Sequence, residues 1–355
     1  MTLPLLTRQS DILRYDRDRG VVVALDRHKY PEETVFVECA DVEAIVRVMQ
    51  TTIVQGKSVA YIAGYGLALA ARAWQARPSD PRRAAIIQAG EQLRLADPTS
   101  KSVSDVIEQG LIRANAAILE GTNAEQAILT FVEDALRRHD RVAERCGRHA
   151  AELLTSGDRI LTRGFIDAAL NWMLYIAHTT QGKQIELYLT ENQSNLEDTQ
   201  LLADQAREVG VPVTLLTSKA LDTSFAQRIF SMYVASAHRI ALDGSVASAP
   251  GTTKDAEVVR QYAVPFYVLG YDGPSPTALS GTDIALAEQS STTAAPDADD
   301  QATAGLAAIS ALALDVIPPN LINAIVTDRG IYRPEMIARY LEDGEAPLDV
   351  IPLLT

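Results

Sequence analysis

Apolar and polar positions change their rhythm twice along this chain. Between residues 13 and 39 they alternate, in VVVAL and then TVFVEC about the turn-like HKYPEE, which predicts a small antiparallel strand unit. From Asp41 to about Arg145 the spacing becomes three and four. DVEAIVRVMQTTIVQG, SVAYIAGYGLALAARAWQA, RRAAIIQAGEQLRLA, VSDVIEQGLIRANAAIL and EQAILTFVEDALRRHDRVAER each predict a helix. Asp41 and Ser104 are expected starts, and Gly56 and the RPSDP segment expected stops. After Ser156 the pattern shifts to short runs rich in branched and aromatic residues: RILT, IELYLT, PVTLLT, MYVASAHRIAL and PFYVLGY. Helical stretches separate the first four, the signature of a doubly wound parallel sheet. Ligands in such sheets bind beyond the carboxyl ends of the strands, so the loops after Thr162, Thr190 and Ala241 are where a site is expected.

These patterns predict an α/β protein of two domains. Residues 1–150 form an N-terminal domain, a small strand unit plus helices. Residues 151–355 form a Rossmann-like domain with a doubly wound parallel sheet. A chain of 355 residues is long for one core, which agrees. The segment 272–305 is rich in Ser, Thr, Ala and Asp and nearly free of large apolar residues; a flexible surface insertion is expected there.

Composition narrows the classes of function. No run of about 18 apolar residues suggests a membrane span, and the first residues carry no secretory pattern, so a cytoplasmic protein is expected. Cys39 and Cys146 are the two cysteines, and no metal-ligand spacing occurs, so neither a disulfide framework nor a metal site is expected. No cofactor is expected either. A net charge of −14 repels nucleic acid, and the one dense basic stretch, 137–149, includes Asp140 and Glu144 and reads as the solvated face of a helix.

LDRHKYPEETVFVEC at 25–39 and VQGKSVAYIAGYGLALAA at 54–71 resemble the opening of the methylthioribose-1-phosphate isomerases. That family also holds ribose-1,5-bisphosphate isomerases and the alpha, beta and delta subunits of eukaryotic initiation factor 2B. RVAERCGRHAAELLTSGDRILT at 141–162, SAHRIALDGSVASAPGT at 236–252 and ALDVIPPNLINAIVTDRGIYRP at 313–334 are similar to further family segments in the same order. The resemblance implies the two-domain fold above and pairing of chains as a homodimer, or as a heteromer with a family paralogue. MYVASA and PFYVLGY offer apolar material for such an interface.

The same resemblance places the family's functional residues on unlike side chains here. The nucleophilic cysteine falls at Gly164 and the catalytic aspartate at His238. Phosphate-holding arginines fall at Gln55 and Gln193, a glutamine at Glu197, and an Asn-Lys pair at Ser248-Ala249. Gly56 persists, and Arg82 lies near the place of a further family arginine. Cations hold a phosphate dianion in such sites. Their loss at 55, 193 and 249, with Glu197 and Asp198 added, argues against the family's way of gripping a sugar phosphate.

Three functions are open on this reading. One is a repurposed cleft for an unknown small molecule. Its candidate residues are Gln55, Gly56, Lys57, Arg82, Arg163, Gly164, Glu191, Gln193 and Glu197, with His238 as acid or base. Another is a non-catalytic regulatory or scaffolding subunit. The third is an aldose–ketose sugar-phosphate isomerase. Several candidates have plainer readings. Arg163 can bind a ligand carboxylate or pair with Asp167 four residues on. Glu191, Glu197 and Asp198 can hold an amine, or Asp198 can complete a helix start with Asn195. Asp243 fits a DG turn, His178 a helix end, and Cys146 is no nucleophile. Gly56, Gly64 and Gly66 suit close helix packing, since they lack phosphate-loop spacing.

Overall fold

The computed structural model describes residues 3–98, 100–163, 167–190, 196–286 and 314–342. The chain divides into two compact units, one built on Arg8–Asp140 and the other on Met1–Thr7 with Arg141 onward.

The first unit opens with the expected strand unit. Strands β1 (Leu13–Asp16), β2 (Val21–Leu25) and β3 (Phe36–Cys39) pair antiparallel in sequence order. Helices α2 (Val42–Gln50), α3 (Ser58–Ala73), α4 (Ser79–Ala96) and α5 (Lys101–Leu119) follow the short α1 (Gln9–Ile12). Asp41 starts α2 as expected, its carboxylate accepting the Ala44 N–H at 2.8 Å. The α5 start is corrected: Ser100, not Ser104, is the cap, and its hydroxyl accepts from the Val103 N–H. The four-residue difference is one helical turn, which periodicity cannot resolve when serines stand at both ends. Glycines let α3 approach its neighbours, as expected: a Cβ on Gly64 would meet Val106 and Val132, and one on Gly66 would meet Leu93. Gly56 instead sits in the turn before α3 with φ +61°.

Helix α6 (Ala124–Glu152) contains the boundary between the units. Its basic stretch does present Arg137, Arg141, Arg145 and Arg148 to solvent. His139 and Cys146 turn inward instead.

The second unit is a three-layer α/β structure. Its seven-stranded sheet contains β4 (Arg159–Arg163), β5 (Glu186–Thr190), β6 (Val213–Leu216), β7 (Met232–Ser236), β10 (Phe266–Leu269), β12 (Ala324–Thr327) and β13 (Gly330–Tyr332). The spatial order is β13-β12-β10-β7-β4-β5-β6, parallel throughout except for the antiparallel pair β12–β13. Leaving out β13 and counting along the chain, this is the Rossmann order 3-2-1-4-5-6, whose direction of winding reverses between β4 and β7. Helices α7 (Ala168–Tyr175), α8 (Leu196–Val209) and α9 (Ser218–Ala226) connect β4 to β7, and α10 (Thr252–Gln261) precedes β10.

Side-chain alternation divides the core between the two faces of the sheet. Ile160, Met232 and Val234 join one cluster with Cys146, Leu170 and Leu202. Leu161, Tyr233 and Ala235 join the other with Phe225, Ala256 and Val259. Cys146 lies wholly inside, its thiol donating to the Val326 carbonyl at 3.2 Å, and burial raises its pKa well above the ordinary thiol range.

Two expectations need correction here. MYVASAHRIAL is not one strand: β7 ends at Ser236, and the chain turns through Ala237 and His238 into β8 (Arg239–Ile240). With β9 (Val246–Ser248) and β11 (Asp315–Ile317), β8 forms a separate antiparallel sheet of order β11-β9-β8. The insertion expected at 272–305 is packed in its first part. Ala278 and Ile284 are buried with Ala241 and Ala247, and the Leu242 N–H donates to the Ala278 carbonyl. A few small or branched residues at the right places suffice to cover a small sheet, although the composition looks like that of a loop. Residues 287–305 lie outside those described. Among the described residues, no helix is long and apolar enough to cross a membrane.

The crossing of α6 and α7 gives a direct test of this packing. A Cβ on Gly147 would lie 2.3 Å from the Trp172 Cβ and 2.8 Å from the Ala169 carbonyl oxygen. Both neighbours are held by their own helix and cannot yield cheaply. Gly147→Ala is expected to lower stability by about 1–3 kcal/mol, the usual range for overpacking. Denaturant unfolding measures it; a variant as stable as the parent would contradict this packing.

Candidate functional site

The carboxyl ends of β4 and β7 flank the point where the winding reverses, and the site expected of this fold lies there. Thr162 and Arg163 end β4, and Ala235 and Ser236 end β7. Ser248, Ala249 and Thr252 close the space between them. These described residues line a cavity of about 10 Å³. One water needs about that much, whereas sites for organic ligands occupy hundreds of Å³.

A buried ion pair borders this space. Arg163 Nε donates to Asp255 Oδ2 at 2.8 Å, and its NH2 donates to Asp255 Oδ1 at 2.7 Å. The side chains are only 17% and 11% exposed. Tyr233, fully buried in β7, donates its hydroxyl to Asp255 Oδ2 at 3.1 Å. Burial, reinforced by the Asp255 charge, holds the Tyr233 pKa well above its ordinary value, so the phenol remains a donor. Burial draws the Arg163 pKa down, but hydrogen bonding and charge from Asp255 outweigh it and the net shift is upward.

The backbone of the α10 start is shaped around this pair. Gly251 has φ +90°, and a Cβ there would meet the Arg163 guanidinium carbon at 2.9 Å. Asp315 of β11 accepts the Gly251 and Thr253 N–H groups at 3.0 and 2.9 Å. Ser248 donates to the Ser236 carbonyl at 2.7 Å, fastening β9 to the end of β7. Among the described residues, hydrogen bonds thus occupy Arg163, Tyr233, Ser248, Asp255 and Asp315 here, while the buried Thr190 hydroxyl at the end of β5 makes none.

The sequence candidates divide between the two units. Gln55, Gly56, Lys57 and Arg82 belong to the helical unit: the first three precede α3, and Arg82 is in the first turn of α4. Gln55 and Gly56 are exposed, and Arg82 NH1 donates to the Gln75 carbonyl at 3.4 Å. Arg163, Glu197 and His238 belong to the sheet unit. Glu197 is exposed in the first turn of α8 together with Asp198, the placement expected for acids at a helix start. His238 is exposed between β7 and β8, and its backbone N–H donates to the Ala247 carbonyl at 2.8 Å. Gly164, Phe165, Glu191, Gln193 and Asn195 lie outside the described residues.

The expected Arg163–Asp167 pair is replaced by Arg163–Asp255. Asp167 instead caps α7, accepting the Ala169 and Leu170 N–H groups at 2.8 and 3.1 Å. A cap has a backbone geometry that points the carboxylate along the helix, away from an i−4 neighbour. Asp243 makes the expected turn, accepting from the Ser245 N–H beside Gly244 at φ +85°. His178 lies in the last turn of its helix, its Nδ1 3.1 Å from the Lys183 carbonyl oxygen. Sequence reasoning missed Asp255, Tyr233, Gly251 and Asp315. Tyr233 is hidden within an apolar strand run, and Asp255 looks like any acid in a first helical turn. Among the described residues, no cluster of three or more His, Cys, Asp or Glu is placed to hold a metal ion.

Comparison with known proteins agrees on one lineage. A family model described as the initiation factor 2 subunit family matches residues 53–334. The methylthioribose-1-phosphate isomerase of Chloroflexus aurantiacus is 28% identical over 347 residues, covering 92% of this chain and 97% of that protein. The crystal structure of 5-methylthioribose 1-phosphate isomerase from Pyrococcus horikoshii OT3 superposes with a TM-score of 0.74 at 22% identity, covering 93% of this chain and 94% of that one. That of translation initiation factor eIF-2B, subunit delta, from A. fulgidus gives 0.70 at 21% identity, covering 93% and 98%.

The ion pair makes a quantitative expectation. Asp255→Asn leaves the Arg163 charge buried without its partner, and the loss of stability should be about 3–5 kcal/mol. Replacing both residues, as Arg163→Met with Asp255→Leu, should recover most of that loss, because no orphaned charge remains. Denaturant unfolding of the two single variants and the double variant measures it. Additive single losses would mean that the two side chains do not act as a pair.

Proposed function

The chain belongs to the initiation factor 2 subunit family, and on that premise we propose that it is a non-catalytic member, a regulatory or scaffolding subunit that pairs with itself or with a family paralogue. The observation that supports this reading is the Arg163–Asp255 pair at the reversal point, beside which the described residues line a cavity of about 10 Å³. Substrate chemistry needs an open space lined by groups whose hydrogen-bonding capacity is unspent. Here Arg163 commits Nε and NH2, and Tyr233 and Ser248 their hydroxyls, to protein partners. The resemblance, which sets Gln55, Gln193 and Ala249 against cations of the isomerases, adds support, since a phosphate dianion would lack its usual charge-assisted contacts. A structural neighbour named as an initiation-factor subunit makes the subunit role a known use of this fold.

A repurposed small-molecule site is the second reading, and one observation favours it. His238 follows β7 at the carboxyl edge of the sheet and is exposed, a position from which an imidazole can reach a substrate. In that case His238→Ala should reduce ligand binding or activity about tenfold or more while leaving the fold intact.

Pure protein incubated with methylthioribose 1-phosphate is expected to form no ketose, and the substrate should not raise the melting temperature. Gly164→Cys with His238→Asp should not restore turnover, because the phosphate contacts would still be absent. Ketose formation that is lost on mutating Arg163 or His238 would overturn the non-catalytic reading. In sedimentation, the protein alone or mixed with a paralogue should form an assembly burying about 1,000 Å² or more. A monomer at all micromolar concentrations, with no paralogue complex, would also count against a subunit role.

A further inference from the structure

The helical unit carries a second feature that neither the fold nor the reversal point explains. Between α5 and the first turns of α6 lies an open groove of about 490 Å³, within the range of sites for small organic ligands. Arg113 of α5 lines it, its guanidinium 4.4 Å from the ring centroid of Phe131 on α6. Phe131 is buried, so the cation rests on a rigid aromatic floor.

Among the described residues, Arg113 has no charge partner. Its NH1 donates to the carbonyl and Oε1 of Gln109, at 3.2 and 2.9 Å, and both acceptors are neutral. Among the described residues, no carboxylate forms a salt bridge with it, although the surface of this acidic chain offers many. Asp134 lines the same groove, but its carboxylate accepts from Arg137 at 2.6 Å. Burial lowers the Arg113 pKa, and nothing nearby offsets that cost. The guanidinium remains charged at neutral pH.

With NH1 committed to Gln109, the Nε and NH2 edge of the fork is the one left to a ligand. That edge has the spacing that takes the two oxygens of a carboxylate. The rest of the lining is mixed: Ala127 and Phe131 give apolar surface, and Thr122 and Thr130 are polar. A single cation with Asp134 in the same groove favours a monoanion over a phosphate dianion, which the second charge would repel.

We propose that this groove binds a small carboxylic acid with an apolar body, the carboxylate on the Nε–NH2 edge of Arg113 and the body along Ala127 and Phe131. The site belongs wholly to the helical unit and stands whether or not the reversal point is catalytic.

Calorimetry on the full chain, with 3-phenylpropionate as probe, tests it. The neutral 3-phenylpropan-1-ol and 2-phenylethyl phosphate are the comparisons. The acid should bind about tenfold or more tightly than the alcohol, a usual margin for a charge-assisted contact. Arg113→Gln should remove that margin without shifting the melting temperature. Should this variant fail to fold, Thr130→Trp fills the groove and leaves Arg113 in place, and it should abolish binding. The proposal is overturned if acid and alcohol bind equally, if the phosphate ester binds more tightly than the acid, or if acid binding survives either folded variant. No binding by about 10 mM would overturn it too, since even a weak small-ligand site is filled there.

Discussion

The architecture of the sheet unit converges on one carboxylate. Asp255 joins the end of β4 through Arg163 and the middle of β7 through Tyr233, while standing on α10. These three elements would otherwise meet around an opening, because winding the sheet in two directions separates the connections at that point. Ionic groups with so little solvent around them are costly unless every hydrogen bond is made. Here both oxygens of Asp255 are used, and the guanidinium also lies 3.5 Å from the Gly251 carbonyl. Gly251 follows from the same constraint, since its positive φ and missing Cβ allow the backbone to pass over the guanidinium.

That arrangement changes the relation between fold and chemistry. Relatives with a matching scaffold include a protein named as an isomerase and one named as an initiation-factor subunit, so the scaffold by itself assigns neither role. What separates the possibilities is local: whether groups at the carboxyl edge face a vacant space or one another. Among the described residues, Arg163, Tyr233 and Asp255 face one another.

Much of this was legible in the sequence, for physical reasons that differ by element. Most helices of the first unit could be read because they bury one face at a helical period, and β4 to β7 because short apolar runs between helical stretches fit strands of a sheet covered on both sides. The resemblance carried the fold further, as the comparisons agree. The split of MYVASAHRIAL was not legible, since Ala237 and His238 interrupt pairing without any Gly or Pro to mark it. Nor was the packing of Ala278 and Ile284, because burying a small sheet needs few apolar residues. At the site, Arg163 stood out as a charge beside a key loop, but its partner did not. Asp255 is 92 residues away, and only the tertiary fold brings it close.

Asp315 carries a consequence for the order in which the molecule is built. It caps the start of α10 from 62 residues further along the chain. Closing a loop of that length costs on the order of 4 kcal/mol in chain entropy, and nothing is gained until the ends have met. The pairs β4–β5 and β5–β6 each close across one helix, and although β7 reaches back to β4 over a comparable span, all four strands precede β11 in the chain. Synthesis therefore delivers a sheet before it delivers the clasp. During the interval in which β11 has not yet arrived, the nascent chain carries α10 without its distant cap, and the carboxyl edge of the sheet without the small sheet that later covers it.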